Sequence, residues 1–214
     1  MSSLETPDDI ARGLEALVVL DPRLRDVVAA AGPVPLRRRA PTLANLMKIV
    51  ISQQVSVASA SAIWTRFEAA FPDDAVFRVH LAGDDALGAV GLSRPKAKTL
   101  RALAAATADG RLDCSALVGL PTSEVRAQLI ALHGIGPWTA EIFALFCLGD
   151  PDIFPLGDIA LQQAIADAFS LPARPTGVAL EAIIAAWAPF RGVAAHLFWA
   201  YYAQTRKNRA VLPV

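Results

Sequence analysis

Two stretches of this 214-residue chain carry residue types at spacings that could do chemistry. The first is Leu132-His133-Gly134-Ile135-Gly136-Pro137-Trp138-Thr139-Ala140, entered by one helical pattern and left by another. Gly134 and Gly136 allow positive φ and close backbone approach, and Pro137 suits a first helical turn, where its missing N–H is not needed. The spacing predicts a tight helix–turn–helix whose outgoing N-terminus offers backbone N–H groups. Such groups, aided by the helix dipole, grip a phosphate. Taken alone, Gly-x-Gly reads first as an ordinary corner between helices. The second stretch is the loop Gly149-Asp150-Pro151-Asp152-Ile153-Phe154-Pro155-Leu156-Gly157, after which Asp158 opens another helical run. A carboxylate there can cap the helix. Beside a developing cation it can also stabilise positive charge or activate water.

The two stretches together resemble the helix-hairpin-helix DNA glycosylase superfamily. Its hairpin reads Leu-x-Gly-Ile-Gly-x-x-Thr-Ala, followed by a Gly/Pro-rich loop and an essential aspartate. The resemblance makes Asp158 the catalytic position and places His133, Gly134, Ile135, Gly136, Trp138 and Thr139 at DNA. It also implies a monovalent cation, Na⁺ or K⁺, on the carbonyls of Ile130, Leu132 and Ile135. Ile51-Ser52-Gln53-Gln54-Val55-Ser56-Val57-Ala58 looks like the family's turn that pushes a side chain into the DNA stack. Gln54 is the wedge by position and Gln53 its neighbour, with the choice between them open. Gly91-Leu92-Ser93-Arg94-Pro95-Lys96-Ala97-Lys98 looks like a second phosphate-contacting helix start and adds Ser93 and Lys96. The likeness spans about Leu43 to Tyr202 and is nearest the 3-methyladenine DNA glycosylase II, alkylation-repair, branch.

The implied chemistry suits one carboxylate. N-glycoside cleavage passes through an oxocarbenium-like sugar, and a leaving base that is already cationic needs no acid. By resemblance Trp138 and Trp199 line the base pocket, with Phe190 a further candidate; core packing is the alternative for each. Where the branch often has tyrosines, this chain has Ile142 and Ile159, which implies a more apolar pocket. Bifunctional relatives carry a Schiff-base lysine at the hairpin position held here by Trp138, and an indole supplies no amine. The expectation is therefore a monofunctional hydrolase for 3-methyladenine- or 7-methylguanine-type bases, without lyase activity. A glycosylase for deaminated or oxidised bases, a non-catalytic DNA-binding relative, and a helical scaffold remain as alternatives.

These residues need helices to position them. Helical periodicity predicts segments near 9–20, 22–31, 42–54, 56–71, 82–87, 94–109, 113–119, 122–132, 137–149, 158–169, 178–187 and 191–204. Prolines punctuate their ends. Only Val34–Arg38 suggests a strand, so the predicted class is all-α. The expected organisation is one catalytic domain, 1–214. It has a hairpin lobe over 42–150, a second lobe from 1–41 plus 151–214, and a DNA/base-binding cleft between them.

Composition sets the outer limits. Hydrophobic residues make up 54% and charged residues 19%, which excludes a disordered chain. The N-terminal residues are polar and no apolar run reaches a bilayer's length, so no membrane association and a cytoplasmic, nucleoid-associated monomer are expected. Cys114 and Cys147 are the only cysteines, too few for a four-cysteine iron–sulfur or zinc site, and no cofactor is required. Net charge is zero, although Arg37–Arg39, Arg94–Arg101 and Arg206–Arg209 form basic runs. The expected partner is double-stranded DNA holding damaged bases. With zero net charge, its phosphates would be held chiefly by backbone amides.

Overall fold

The computed structural model describes residues 3–72 and 76–205, for Phe77 the backbone only. Arg206, Lys207 and Arg209 lie outside the described residues. Every regular element among the described residues is helical, and the chain divides into two compact units. One comprises 3–38 and 144–205; the other comprises 39–72 and 76–143.

The first unit holds α1 (Pro7–Leu20), α2 (Leu24–Ala31), a π-helical turn (Ala144–Leu148), α9 (Ile159–Ala168), α10 (Gly177–Ala185) and α11 (Arg191–Thr205). Helix α11 is its axis and packs against α1, α2 and α9. Val193 to Ala200 are all buried, the pattern of a helix enclosed on every side. Gly192 lets the start of α11 approach the loop that precedes α9. A Cβ there would sit 2.6 Å from the Asp150 carbonyl oxygen, and the Gly192 N–H donates to Pro151 O at 2.7 Å. Trp187, fully buried, stacks on Phe198 at 5.1 Å and donates its indole N–H to Asp21 Oδ2 at 3.0 Å. The Arg23 guanidinium on Asp21 holds that carboxyl below its usual range.

Val34–Arg38 forms no strand. Pro35 has no N–H to give a ladder, and the Arg37 N–H turns to His196 Nε2 at 3.4 Å. The basic run here is likewise engaged within the protein. Arg38 pairs with Glu5 at 3.0 Å and donates to the carbonyl of Cys147 in the π turn.

The second unit holds α3 (Leu43–Ser52), α4 (Val57–Ala70), a 3₁₀ segment (Val76–Leu81), α5 (Asp84–Ala89), α6 (Arg94–Ala108), a 3₁₀ turn (Ser115–Leu117), α7 (Thr122–Ile130) and α8 (Pro137–Phe143). Thr42 caps α3 by accepting from the Asn45 N–H at 3.2 Å, and seven of the ten α3 residues are buried. Helices α4, α6 and α8 pack around it. On α6, Ala97, Leu100, Leu103 and Ala104 repeat at helical spacing and are buried. Each of the leucines contributes about 1.5–3 kcal/mol by leaving water. The helix expected over 113–119 is only the short 3₁₀ turn, because Asp113 Oδ1 accepts from the Ser115 N–H at 2.8 Å and closes it locally. The helix expected over 137–149 stays α-helical only to Phe143 before widening into the π turn. Among the described residues no helix is long and apolar enough to cross a membrane.

Candidate functional site

The hairpin is built as its residue types require. Helix α7 ends at Ile130, the Ile135 N–H returns to Leu132 O at 3.2 Å, and α8 starts at Pro137. Gly134 takes φ +80°, and a Cβ on it would lie 1.9 Å from Thr99 Oγ1 of α6. Glycine is therefore required twice, for the left-handed backbone and for contact with α6. Gly136 O receives the Ala140 N–H at 3.2 Å, the first turn of α8. The opening N–H groups of such a turn have no carbonyl within the helix. His133 and Gly134 are exposed, Trp138 is half-buried and Ile135 is buried. A bridge from Arg126 Nε to Glu141 Oε1, 3.5 Å, links α7 to α8 across the turn.

The turn after α3 sits in the same unit. Gln54 is exposed at φ +54°, whereas Gln53 is half-buried and its Nε2 donates to Thr139 Oγ1 at 2.7 Å. Lys96 Nζ donates to Ile51 O at 2.8 Å and to Gln53 O at 2.7 Å. Burial holds the Lys96 ammonium below its ordinary pKa. Lys96, expected at a phosphate, has its ammonium on the C-terminal carbonyls of α3. The Gln53 amide is likewise directed inward, to Thr139. Ser93, the N-cap position of α6, is exposed.

The carboxylate belongs to the first unit. Asp158 is the N-cap of α9 and only 6% exposed. Its Oδ1 accepts from the Leu161 N–H at 3.0 Å and from Trp199 Nε1–H at 3.4 Å, so the carboxylate is oriented from one side. The loop before it is fixed at several points. Asp152 takes a two-pronged ion pair from Arg191, at 2.8 and 2.6 Å, which holds that guanidinium firmly protonated. Gln162 Nε2 donates to Leu156 O at 2.9 Å.

Trp199 has no exposed surface. It packs 5.4 Å from Phe146 and 6.1 Å from His196, and the Arg37 guanidinium carbon lies 5.5 Å from its ring centroid. As a base-stacking wall it is therefore unsuited in this conformation, because one face is covered by a cation and none reaches solvent. Ile142 is also fully buried and presents nothing to a ligand. Ile159 is 65% exposed beside Asp158, and Phe190 is half-buried. His196 donates Nδ1–H to Gly192 O at 2.8 Å and accepts from Arg37 at Nε2, which requires the neutral ring. Burial pushes its pKa down to about 4.

Three contributors were not legible in the sequence: Thr99 behind Gly134, Arg191 on Asp152, and Arg37 over Trp199. Their partners lie 35 or more positions away, and no local spacing signals them.

The family model described as HhH-GPD superfamily base excision DNA repair protein matches residues 47–189. A "probable bifunctional transcriptional activator/DNA repair enzyme AlkA" of Mycobacterium tuberculosis is 32% identical over 203 residues. The match covers 90% of this chain but only 39% of that relative's length. A Schizosaccharomyces pombe 3-methyladenine DNA glycosylase (Mag1), solved with abasic DNA, superposes with a TM-score of 0.81 at 26% identity, covering 94% of this chain and 98% of that one. A DNA-3-methyladenine glycosidase from Bacillus halodurans gives a TM-score of 0.74 at 30% identity, covering 96% and 94%. With a family match over two thirds of its length and a Gly-Ile-Gly hairpin followed by a helix-capping aspartate, this chain belongs to the HhH-GPD superfamily of base excision DNA repair proteins.

Proposed function

We propose that this protein is a monofunctional DNA N-glycosylase that excises alkylated bases from double-stranded DNA and leaves an abasic site. The observation that carries the reading is Asp158, a carboxylate 6% exposed whose Oδ1 is fixed by the Leu161 and Trp199 N–H groups. The relatives named as 3-methyladenine glycosylases support the substrate class.

In the proposed reaction a cationic base such as 3-methyladenine or 7-methylguanine leaves C1′ with the electron pair of its glycosidic bond, which cancels the base's charge. The sugar is left oxocarbenium-like, and the Asp158 carboxylate opposes that charge. Water then adds to C1′ and gives its proton to Asp158 or to solvent. No amine takes part, because Trp138 holds the hairpin position where a lysine would be needed.

The hairpin amides over 134–139 grip a backbone phosphate, with Ser93 a second contact at the start of α6. Gln54 fills the gap left by the extruded base, whose unstacking costs a few kcal/mol. Ile159 and Phe190 supply apolar surface to the base. A monovalent cation would be held by the carbonyls of Ile130, Leu132 and Ile135. That donor set, all carbonyl oxygen, suits Na⁺ or K⁺: Ile130 ends α7, and Leu132 and Ile135 lie in the turn, where Leu132 O keeps a second lone pair beside the Ile135 N–H. When bound it would neutralise part of the phosphate charge.

Arg37 over the Trp199 ring favours a second reading. A cation already covers the indole face expected to select cationic bases, so selection would fall to Trp138 and to bond lability. A neutral deaminated base is then the alternative substrate. Single-turnover excision from duplexes holding 3-methyladenine, 7-methylguanine, hypoxanthine or uracil decides. Faster removal of either methylated base supports the alkylation reading, and uracil removed faster than both overturns it.

A further inference from the structure

Lys96 stands where its own helix disfavours it. It is the third residue of α6, in the first turn, where the helix dipole repels a cation. Its ammonium instead reaches the other end of a dipole, the Ile51 and Gln53 carbonyls at the C-terminus of α3, at 2.8 and 2.7 Å. Both carbonyls lie on the α3 side of the bend, the second on the residue immediately before Gln54, which turns outward at φ +54°. Three residues further along α6, on the same face, Thr99 sits under Gly134 of the hairpin. Gln53 then closes the triangle by donating to Thr139 Oγ1 in the first turn of α8. Thr139 is 2% exposed, so the hydroxyl end of this hydrogen bond is sheltered from water, while Gln53 is half-buried.

We infer that Lys96, Gln53 and Thr139 are positioning residues that lock the Gln54 turn to the DNA-gripping hairpin, with α6 as the common platform, so that Gln54 advances into the duplex as a rigid wedge. The inference rests on the glycosylase reading and assigns the wedge to Gln54, not to Gln53. The physical requirement is simple. A side chain that replaces a base in the stack works against the stack's tendency to close, so the turn carrying it must not retreat. A turn held only by its own backbone would yield. This one is held through its carbonyls by an ammonium and through the neighbouring side chain by a hydroxyl. The hairpin fixes where the phosphate lies, and the lock fixes how far Gln54 reaches from it.

The test is single-turnover excision of 7-methylguanine from a fully paired duplex and from the same sequence as a single strand, in which no gap needs filling. The quantity read is the ratio of the two rates. Gln54→Ala, Lys96→Met and Thr139→Val are each expected to lower that ratio at least tenfold, and Thr139→Ser, which keeps the hydroxyl, to hold it within threefold of wild type. Gln53→Met combined with Thr139→Val should lower it no further than either alone. A wild type that excises none of 7-methylguanine, 3-methyladenine, hypoxanthine and uracil from either substrate overturns the glycosylase reading and the lock with it. If Gln54→Ala slows both substrates equally, the wedge is overturned. If Gln54→Ala behaves as expected while Lys96→Met and Thr139→Val keep the wild-type ratio, the lock alone is overturned. Equal loss on both substrates for Lys96→Met and Thr139→Val assigns them to folding and likewise overturns it.

Discussion

The indole N–H of Trp199 points at Oδ1 of Asp158 across 3.4 Å, inside an aromatic cluster without solvent exposure. The Leu161 N–H, at 3.0 Å, is the shorter of the two bonds to that oxygen and the stronger. Trp199 therefore orients a carboxylate that is already capped. Trp199→Phe removes the N–H and keeps an aromatic ring. Excision is expected to fall roughly ten- to a hundredfold, the equivalent of about 1.5–3 kcal/mol for a hydrogen bond to a charged group. Single-turnover rates measure it. A change under twofold would assign Trp199 to packing alone.

His196 makes the fold less stable as pH falls below 6.5. The unfolded chain's imidazole protonates at its ordinary 6.5, the buried ring only at about 4. Above 6.5 both states are neutral and the fold has its full stability. As pH falls from 6.5 towards 4, only the unfolded chain gains a proton, and stability drains by up to roughly 3 kcal/mol. Urea midpoints at pH 7.5 and 5.5 should therefore differ more in wild type than in His196→Gln. Equal differences would contradict the buried neutral ring.

Gly134→Ala should damage the hairpin more than a surface change would. A non-glycine residue in the left-handed region costs about 1–2 kcal/mol, and the new Cβ would overlap Thr99 Oγ1, 1.9 Å away. DNA affinity is expected to fall at least tenfold by fluorescence anisotropy. Adding Thr99→Ala removes the hydroxyl and should recover part of the loss. No recovery would mean that the backbone conformation alone dictates glycine here.

Much of the helical order was legible because the sequence marks its own boundaries. Thr42, Ser56 and Asp158 stand at helix starts with their side chains on backbone N–H groups, and Pro7, Pro95 and Pro137 sit in first turns. The hairpin was legible because Gly134, Gly136 and Pro137 stand between two helical patterns, although the contact with Thr99 that also demands glycine at 134 was not. Other features were hidden because periodicity reports which face is buried and not what it meets. Trp138 and Trp199 look alike as helical aromatics, yet one is half-buried and the other enclosed beneath Arg37. Lys96 reads as a surface cation until the α3 carbonyls are placed beside it. The π turn over Ala144–Leu148 has no residue signature, and its carbonyls are served by Arg38, more than a hundred positions earlier.

Strand cleavage should not accompany base removal. The indole of Trp138 cannot form a Schiff base with C1′ of the sugar. Incubation with damaged duplex and borohydride is expected to leave no covalent protein–DNA adduct, and products should stay uncut until treated with alkali. A trapped adduct through any lysine would contradict the monofunctional reading.

The central claim is that Asp158 opposes the sugar's charge, and Asp158→Asn isolates it. The amide keeps the shape and an oxygen to receive the Leu161 N–H, so α9 remains capped, while the negative charge is lost. Single-turnover excision of 7-methylguanine from duplex DNA should fall about a hundred- to a thousandfold, with affinity for the same duplex unchanged or tighter. A variant keeping more than about a tenth of the wild-type rate, roughly 1.4 kcal/mol of barrier, would show that Asp158 is a helix cap and not the catalytic carboxylate.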